Sequence, residues 1–451
     1  MEERNWIRLD NASNIFVAAR NDTDTKVFRL TAEMTESIHP VLLQEALENT
    51  YNEYPLFHNV LRRGFFWYYL QTIDTIPKVR LETDPPCSPI YHYDKHEFLF
   101  RVLYREQQIH LEVFHALTDG TGALWFFEDL LTEYVRLRYA TEENHMHHKN
   151  KREKKDLEDS FNRYFRKKQH EINVDVSSDP LEKIEKNTKK RKQNLFKSLF
   201  NRLTKKVYQV KGERTPDHRL RIIKLNLPVD KMLELARSEG VSLTIYMTAL
   251  YILSVYQAKE NKAEDTTISV SIPINLRQFF PSISVRNFFS TTTVSYRFKE
   301  GELADLSKIC QELDEQFKEQ LEKDAIEQRL EQFINFEYNP LIRIVLRPVK
   351  DLLLKTINKL NNRGITLAMS NLGIVNLPEE MADYMNNFYF YTSVIRPQFC
   401  MVSYGNQLNI SFTSPFTETI IYQNFVRYLS NRDIDVVVDS NKVTREEMTT
   451  E

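Results

Sequence analysis

Apolar and polar residues alternate along several short stretches of this chain, and apolar residues recur at helical spacing between them. The clearest alternation, in residues 107–113, predicts a half-buried strand with Ile109, Leu111 and Val113 facing the core. Helical spacing follows in residues 121–131, after a turn that contains glycine. The chain is therefore expected to pass here from the end of a strand directly into a helix.

The same two patterns predict the other elements of the first 140 residues. A strand at 26–30 precedes an amphipathic helix that must end before Pro55. Residues 56–70 then favour a hairpin with an arginine- and glycine-containing turn. The consecutive aromatic residues from Phe65 to Tyr69 are expected to fill the interior rather than to contact a substrate.

The second half of the chain contains similar patterns. Ser242 is a suitable N-cap for an apolar helix that starts at Leu243, and residues 267–272 favour a buried strand. A glycine–asparagine pair at 405–406 separates two alternating runs, which predicts a C-terminal hairpin. The remaining predictions are strands at 221–227, 287–296 and 366–370, and helices near 302–325, 340–361 and 417–431.

The composition is that of an ordinary globular protein, and it argues against nucleic acid as a binding partner. Of the 451 residues, 41% are hydrophobic and 27% are charged, and the formal net charge is -2. This balance gives no general attraction to nucleic acid, so we expect no nucleic-acid partner. The three cysteines are far apart and have no metal-ligand spacing, which favours a reducing cytoplasm and predicts neither disulfides nor a metal site; they are Cys87, Cys310 and Cys400.

The sequence lacks the features that usually indicate exported, membrane-spanning, nucleotide-binding or serine-hydrolase proteins. The chain has no apolar run with the length of a signal-peptide core or a transmembrane helix, so we expect neither export nor membrane spanning. Its nine glycines form no phosphate-binding loop and no G-x-S-x-G elbow. Nucleotide-binding and serine-hydrolase functions are therefore not indicated.

Residues 141–218 differ from the rest of the chain. They are rich in Lys, Arg, Glu, His and Asn and contain few large apolar residues, which predicts a basic crossover between an N-terminal part, 1–140, and a C-terminal part, 219–451. The histidines in this stretch are flanked by Asn and Lys, so we interpret them as solvated rather than metal-binding; they are His145, His147 and His148.

Within the crossover, residues 189–206 contain no acidic residue and carry an apolar stripe flanked by basic side chains. Such a helix suits the surface of an anionic membrane, which would make the protein peripheral there. The same stripe suits a helix packed on the protein's own surface, which is the commoner use of this pattern. The stripe consists of Leu195, Phe196, Leu199, Phe200 and Leu203.

Acid–base chemistry is most strongly indicated at His115, which lies at the end of the first predicted strand. Asp119 and Gly120 follow it within the next turn. An imidazole with a pKa near neutrality can take a proton from an attacking hydroxyl or amine. A buried carboxylate in the same loop needs an ion-pair partner, so Asp119 is expected to fix the loop rather than to act as a second base.

These residues and several other blocks resemble the alcohol acetyltransferase-like branch of the chloramphenicol acetyltransferase superfamily. His115, Asp119 and Gly120 match its HxxxDG motif. Phe114 replaces the first histidine of the condensation-domain HHxxxDG, and the DFGWG block of the plant enzymes is absent, so a stand-alone acyltransferase is favoured. The other matching blocks are LDNA at 9–12, YPLF at 54–57, GFFWYY at 64–69, PINLR at 273–277, RNFF at 286–289 and SNLG at 370–373.

The resemblance implies a two-lobed α/β fold of the chloramphenicol acetyltransferase type, with mixed sheets flanked by helices and a tunnel between the lobes. It implies transfer of an acyl group, acetyl in the first place, from acyl-coenzyme A to an alcohol or amine acceptor. His115 would be the single general base, and acyl-CoA would be a co-substrate rather than a bound cofactor. The resemblance pairs Arg277 with Asp119 and places Ser370 or Asn371 at the tunnel as an oxyanion donor, although both could equally cap a turn.

Two other functions remain open. A free-standing condensation-like protein would take its acyl group from a carrier-bound thioester and form an amide; the single histidine and the lack of a fused carrier domain speak against it. A degenerate member would only bind ligands. The joint presence of His115, Asp119, Gly120 and Arg277 speaks against that alternative.

Overall fold

The computed structural model describes residues 6–139, 159–165, 207–338 and 345–449. Within these ranges helices flank three β-sheets. A short helix at 160–165 accompanies the longer ones. The latter are α1 (Asn11–Ala19), α2 (Pro40–Asn52), α3 (Gly120–Tyr139), α4 (Val229–Ser238), α5 (Leu243–Ala258), α6 (Leu306–Leu321), α7 (Lys323–Tyr338), α8 (Arg347–Arg363), α9 (Ile420–Ser430) and α10 (Arg445–Thr449).

Two sheets lie in the N-terminal lobe. A three-stranded antiparallel sheet has the order β1-β4-β3, and a five-stranded sheet has the order β12-β2-β7-β6-β5. One face of the larger sheet packs in a continuous apolar core with α2 and α3. The strands are β1 (Trp6–Arg8), β2 (Val27–Met34), β3 (Asn59–Arg63), β4 (Tyr68–Thr72), β5 (Arg80–Leu81), β6 (Phe100–Arg105), β7 (Gln108–Phe114) and β12 (Met385–Thr392).

A seven-stranded mixed sheet forms the centre of the C-terminal lobe, in the order β10-β9-β11-β13-β14-β8-β15. Its β11 runs parallel to both neighbours. Helix α5 is apolar around its whole circumference and lies in the core beside this sheet, and Ser242 caps it as expected. The strands are β8 (Arg221–Pro228), β9 (Thr266–Asn275), β10 (Phe289–Phe298), β11 (Leu367–Ile374), β13 (Gln398–Tyr404), β14 (Gln407–Ser414) and β15 (Val437–Ser440).

Strand β12 joins the two lobes, and the sequence patterns did not predict it. It belongs to the C-terminal half of the chain but pairs antiparallel with β2 of the N-terminal sheet. On its other side, Tyr389 donates a hydrogen bond of 3.0 Å to Asn226 Oδ1, and Asn409 Nδ2 donates one of 2.8 Å to the carbonyl of Phe388. The lobes therefore share backbone pairing as well as side-chain contacts.

Strand β7 occurs where it was predicted, but the expectation that one of its faces meets water is wrong. Ile109, Leu111 and Val113 face the apolar core, and His110 and Glu112 on the other face are also buried. Ion pairs offset the cost of burying Glu112. They join its carboxylate to Arg29 at 2.6 Å and to Arg101 at 2.5 Å.

The hairpin predicted at 56–70 is formed by β3 and β4, but the prediction for its aromatic run is wrong in part. Tyr68 is buried as expected, whereas Phe65 and Phe66 at the tip are 87% and 44% exposed. Both residues lie in the turn, outside the paired strands, so the sheet does not cover them.

In the described part of the chain, no single helix combines the length and hydropathy needed to cross a bilayer. Helices α4 and α5 meet those limits only as a pair, by length and composition, and are bent by 83° relative to each other. The stripe predicted at 189–206 and the three histidines at 145–148 lie outside the described residues.

Candidate active site

His115 follows the last residue of β7 and precedes the turn into α3. Its backbone N–H donates to the carbonyl of Lys26 at 2.8 Å, which aligns it with the start of β2. Its own carbonyl accepts a hydrogen bond of 3.0 Å from Asn287 Nδ2, just before β10. Both lobes therefore fix the backbone of His115.

Aromatic rings enclose the imidazole. Phe16 of α1 stacks on it with a centroid distance of 4.0 Å and an interplanar angle of 17°. Phe28 meets it edge-on at 5.1 Å, and Phe289 lies 5.5 Å away. The Nδ1 atom is buried without a hydrogen-bond partner among the described residues, although the side chain as a whole is partly exposed.

Burial lowers the pKa of His115 from its ordinary 6.5 to about 4, because an apolar environment disfavours the imidazolium. The backbone carbonyl of His115 and the carboxylate of Asp119 oppose this effect only in part. The ring is therefore neutral at pH 7 and able to accept a proton.

Asp119 is buried, and other groups of the protein engage both of its carboxylate oxygens. Oδ1 accepts a hydrogen bond of 2.9 Å from the backbone N–H of Gly122, which makes Asp119 the N-cap of α3. Oδ2 accepts from the N–H of Phe288 at 2.8 Å and from Arg277 Nη1 at 2.7 Å. This carboxylate therefore connects the start of α3 with the turn after β9 and the loop before β10.

Arg277 lies in a single 3₁₀ turn, Leu276–Gln278, directly after β9. Besides its ion pair with Asp119, its Nη2 donates to the carbonyl of Ser284 at 2.9 Å and to that of Arg286 at 2.7 Å. The ion pair that the resemblance implied is therefore present. The guanidinium also fixes the loop that leads into β10.

Two glycines allow the turn after His115 to pack closely. A Cβ atom at Gly120 would lie 2.9 Å from Leu372 Cδ1. One at Gly122 would lie 2.2 Å from Thr118 Oγ1 and 2.4 Å from the carbonyl oxygen of Val285, a clash with backbone. The start of α3 is thus pressed against both β11 and the loop before β10.

The sequence did not disclose the group that holds α1 beside His115. Asp10 caps α1 by accepting a hydrogen bond of 2.8 Å from the N–H of Ser13, and Asn287 Nδ2 donates to Ser13 Oγ at 3.0 Å. Burial raises the pKa of Asp10 to about 6, against the opposing effect of Arg286. These residues fall in the LDNA and RNFF blocks or next to them, but only the fold brings the blocks together.

Ser370 and Asn371 lie in β11 opposite Cys400 and Met401, where a bulge interrupts the pairing with β13. The side chain of Asn371 is engaged at both ends. Its Oδ1 accepts from the N–H of Gly373 at 2.9 Å, and its Nδ2 donates to Thr244 Oγ1 at 3.1 Å. Asn371 thus makes the contacts of a turn-stabilising residue, which was the alternative to an oxyanion role. Ser370 is partly exposed.

No group of three or more His, Cys, Asp or Glu side chains in the described ranges is arranged to hold a metal ion. The three cysteines are buried free thiols.

A family model for alcohol acetyltransferases matches residues 105–405, which is more than half of the chain. The chain belongs to the alcohol acetyltransferase family. All the residues considered above as site candidates, from His115 to Asn371, lie within the matched region of this alcohol acetyltransferase family member. A comparison with curated protein sequences gave no match.

Solved structures with a similar fold cover nearly the whole chain at low sequence identity. Trichothecene 15-O-acetyltransferase from Fusarium sporotrichioides has a TM-score of 0.58 at 10% identity, over 94% of both chains. Polyketide synthase associated protein 5 from Mycobacterium tuberculosis has a TM-score of 0.57 at 14% identity, over 94% of this chain and 96% of its own.

The first condensation domain of the calcium-dependent antibiotic synthetase has a TM-score of 0.58 at 12% identity, over 94% of this chain and 96% of its own. The alcohol acetyltransferase family member therefore has the two-lobed α/β fold of the chloramphenicol acetyltransferase and condensation-domain superfamily, which confirms the predicted fold class. Its family supports acyl transfer as the general reaction.

Proposed function

We propose that this protein transfers an acyl group, acetyl in the first place, from acyl-coenzyme A to the hydroxyl group of a small alcohol. The observation that carries the proposal is the neutral imidazole of His115, placed at a strand end and enclosed by Phe16, Phe28 and Phe289. A neutral, poorly hydrated imidazole accepts a proton without first losing one. The family match to alcohol acetyltransferases supports the oxygen acceptor over an amine.

In the proposed reaction the acceptor oxygen attacks the carbonyl carbon of the thioester while His115 takes the hydroxyl proton. We assign this step to Nε2, because Nδ1 is buried. The tetrahedral intermediate then breaks its carbon–sulfur bond, and the departing thiolate takes the proton from the imidazolium. One ester and one free thiol form, and no acyl-enzyme is needed.

Asp119 and Arg277 would support this step without touching the substrate. Their ion pair fixes the turn after β7 and the loop before β10, and Asn287 in that loop bonds the carbonyl of His115. A catalytic base that is already held in the reactive geometry loses no further conformational entropy when the reaction occurs. We propose that these residues position the base.

The oxyanion of the intermediate needs a hydrogen-bond donor. We favour the hydroxyl of Ser370 over the amide of Asn371, because the Asn371 amide already bonds Thr244 and Gly373. Removal of one such donor typically slows turnover by about 10²- to 10³-fold.

A carrier-bound thioester donor is the second candidate, since condensation domains share the fold. We favour the free coenzyme A thioester, because the resemblance to alcohol acetyltransferases implies that donor. We propose the cytoplasm as the location, because three unpaired buried thiols fit a reducing compartment.

The proposal is tested by incubating the purified chain with acyl-CoA donors of increasing length and with panels of alcohols and amines. Free thiol and acylated product are both measured. We expect acceptor-dependent thiol release with one ester formed per thiol. Transfer only from a carrier-protein thioester, or only to amines, would replace this proposal with the condensation-like function.

A further inference from the structure

Helix α8 presents apolar side chains to solvent, although soluble proteins usually turn such residues inward. Val349, Leu352 and Leu353 share one side of the helix by their spacing and are 57%, 66% and 44% exposed. Leu346, the N-cap residue of the helix, is 54% exposed. Phe65, at the tip of the β3–β4 hairpin, extends this surface. We call these five residues the α8 ridge.

The ridge is built onto the N-terminal lobe by specific bonds. The N–H of Arg347 donates to the carbonyl of Phe65 at 3.1 Å, and its guanidinium donates to that of Gly64 at 3.0 Å. Lys350 lies 3.4 Å over the ring of Trp67, and Tyr68 donates to Asp351 at 2.7 Å. The helix and the hairpin are therefore held together by specific contacts, and the ridge is exposed in this ordered arrangement.

The charges on helix α8 are predominantly positive. Residues 347–363 contain five basic side chains and one acidic side chain, Asp351, which accepts the hydrogen bond from Tyr68. The basic residues Lys355, Lys359 and Arg363 are exposed in the second half of the helix. Such a helix is complementary to a partner with an apolar layer beneath an anionic surface. The apolar side chains would enter that layer, and the cations would pair with the anionic groups.

We propose that the α8 ridge docks on the surface of an anionic phospholipid bilayer. A second copy of the chain would bring the same cations against these ones. The basic segment 189–206 of this chain is also unsuitable as an occupant of the ridge. It contains no acidic residue, so its charges would repel the cations of α8. A bilayer with acidic headgroups instead accepts the apolar side chains and pairs with the cations, and each cation strengthens binding by roughly fivefold.

This location also relates the bilayer to the candidate active site. Helix α8 packs against α1, and α1 carries Phe16, whose ring stacks on His115. Docking through α8 would hold the lobe that contains His115 against the membrane. The inference is independent of the proposed reaction, because vesicle binding is measured without substrate.

The test is co-sedimentation of the full chain with phosphatidylcholine vesicles, with and without phosphatidylserine. The ridge variant is Val349→Gln/Leu352→Gln/Leu353→Gln, and the charge variant is Lys355→Gln/Lys359→Gln/Arg363→Gln. The matched control replaces exposed apolar residues outside the ridge, Leu303→Gln/Val437→Gln/Val438→Gln. Phe65→Ser changes the ridge from the hairpin and serves if the triple ridge variant fails to fold.

We expect the wild type to bind vesicles that contain phosphatidylserine and to release as salt rises. The charge variant, which lacks three cations, should bind about a hundredfold more weakly, the ridge variant should bind at least about tenfold more weakly, and the control should bind like wild type. Equal binding by wild type and the ridge variants, or no binding at all, would overturn the proposal. A wild-type dimer in sedimentation velocity that the ridge variant loses would also overturn it, in favour of a second copy.

Discussion

The aromatic rings around His115 bury its imidazole and thereby lower its proton affinity. Because burial lowers its pKa to about 4, the neutral form predominates at all pH values well above 4. We therefore expect kcat/KM to be flat with respect to this group between pH 6 and 8 and to fall only as the pH approaches about 4. Replacing Phe16 tests the cause, since its ring covers one face of the imidazole.

In Phe16→Ala water reaches the imidazole, so its pKa should rise towards the ordinary 6.5 and the acidic limb of kcat/KM should shift upward. Phe16→Tyr retains the ring and should keep the wild-type profile. The pH dependence of initial rates measures both. Identical profiles for wild type and Phe16→Ala would show that this ring does not control the proton affinity of His115.

The sequence could predict only part of this site. His115 and Asp119 are four residues apart and share one turn, so their relation was visible locally. The contacts of Phe16 and Asn287 with His115 join residues separated by about a hundred positions or more, and no periodicity encodes such pairs. Arg277 was paired with Asp119 through the family resemblance alone.

Asp119 and Arg277 connect three elements: the start of α3, the turn after β9 and the loop before β10. Both side chains are buried, at 6% and 7% exposure, so removing one partner leaves the other charge unpaired. We expect Asp119→Ala and Arg277→Ala each to lower the free energy of unfolding by about 3 to 5 kcal/mol. The double variant should lose clearly less than the sum, as measured by denaturant unfolding.

The control for this cycle is the exposed pair of Arg297 and Asp265, whose charged atoms are 2.6 Å apart, close to the 2.7 Å of the buried pair. Solvent screens that pair, so its cycle should show little coupling. Arg277→Lys should not restore stability, because an ammonium group cannot reproduce the three directions in which the guanidinium donates. Additive effects of the two buried substitutions would show that the pair does not act as a unit.

Elements with strong local patterns were predicted well, and those that depend on distant partners were not. The hairpin of β13 and β14 and the helix capped by Ser242 follow from turn and cap residues. Strand β12 was missed because its place is set by pairing with β2, more than 350 positions away. The polar face of β7 was misjudged because its ion-pair partners lie on other strands.

The two lobes are joined by more than the chain between them. Strand β12 completes the N-terminal sheet, and the bonds of Asp119 and His115 to Arg277 and Asn287 cross from one lobe to the other. We therefore expect a single cooperative transition in differential scanning calorimetry, since neither lobe retains its sheet and loop contacts without the other. Two well-separated transitions, each with its own enthalpy, would show that the lobes fold independently.

The proposed direct transfer depends on His115 acting as the base. The decisive measurement is the initial rate of thiol release from acyl-CoA, with and without alcohol, for wild type, His115→Ala and His110→Ala, each normalised to folded protein. His110 is a buried histidine on the opposite face of β7, bonded to Thr31 at 3.0 Å, and serves as the control. We predict alcohol-dependent release that falls by about 10²- to 10⁴-fold in His115→Ala and stays near wild type in His110→Ala. An undiminished rate in His115→Ala, or equal losses in both variants, would contradict the account.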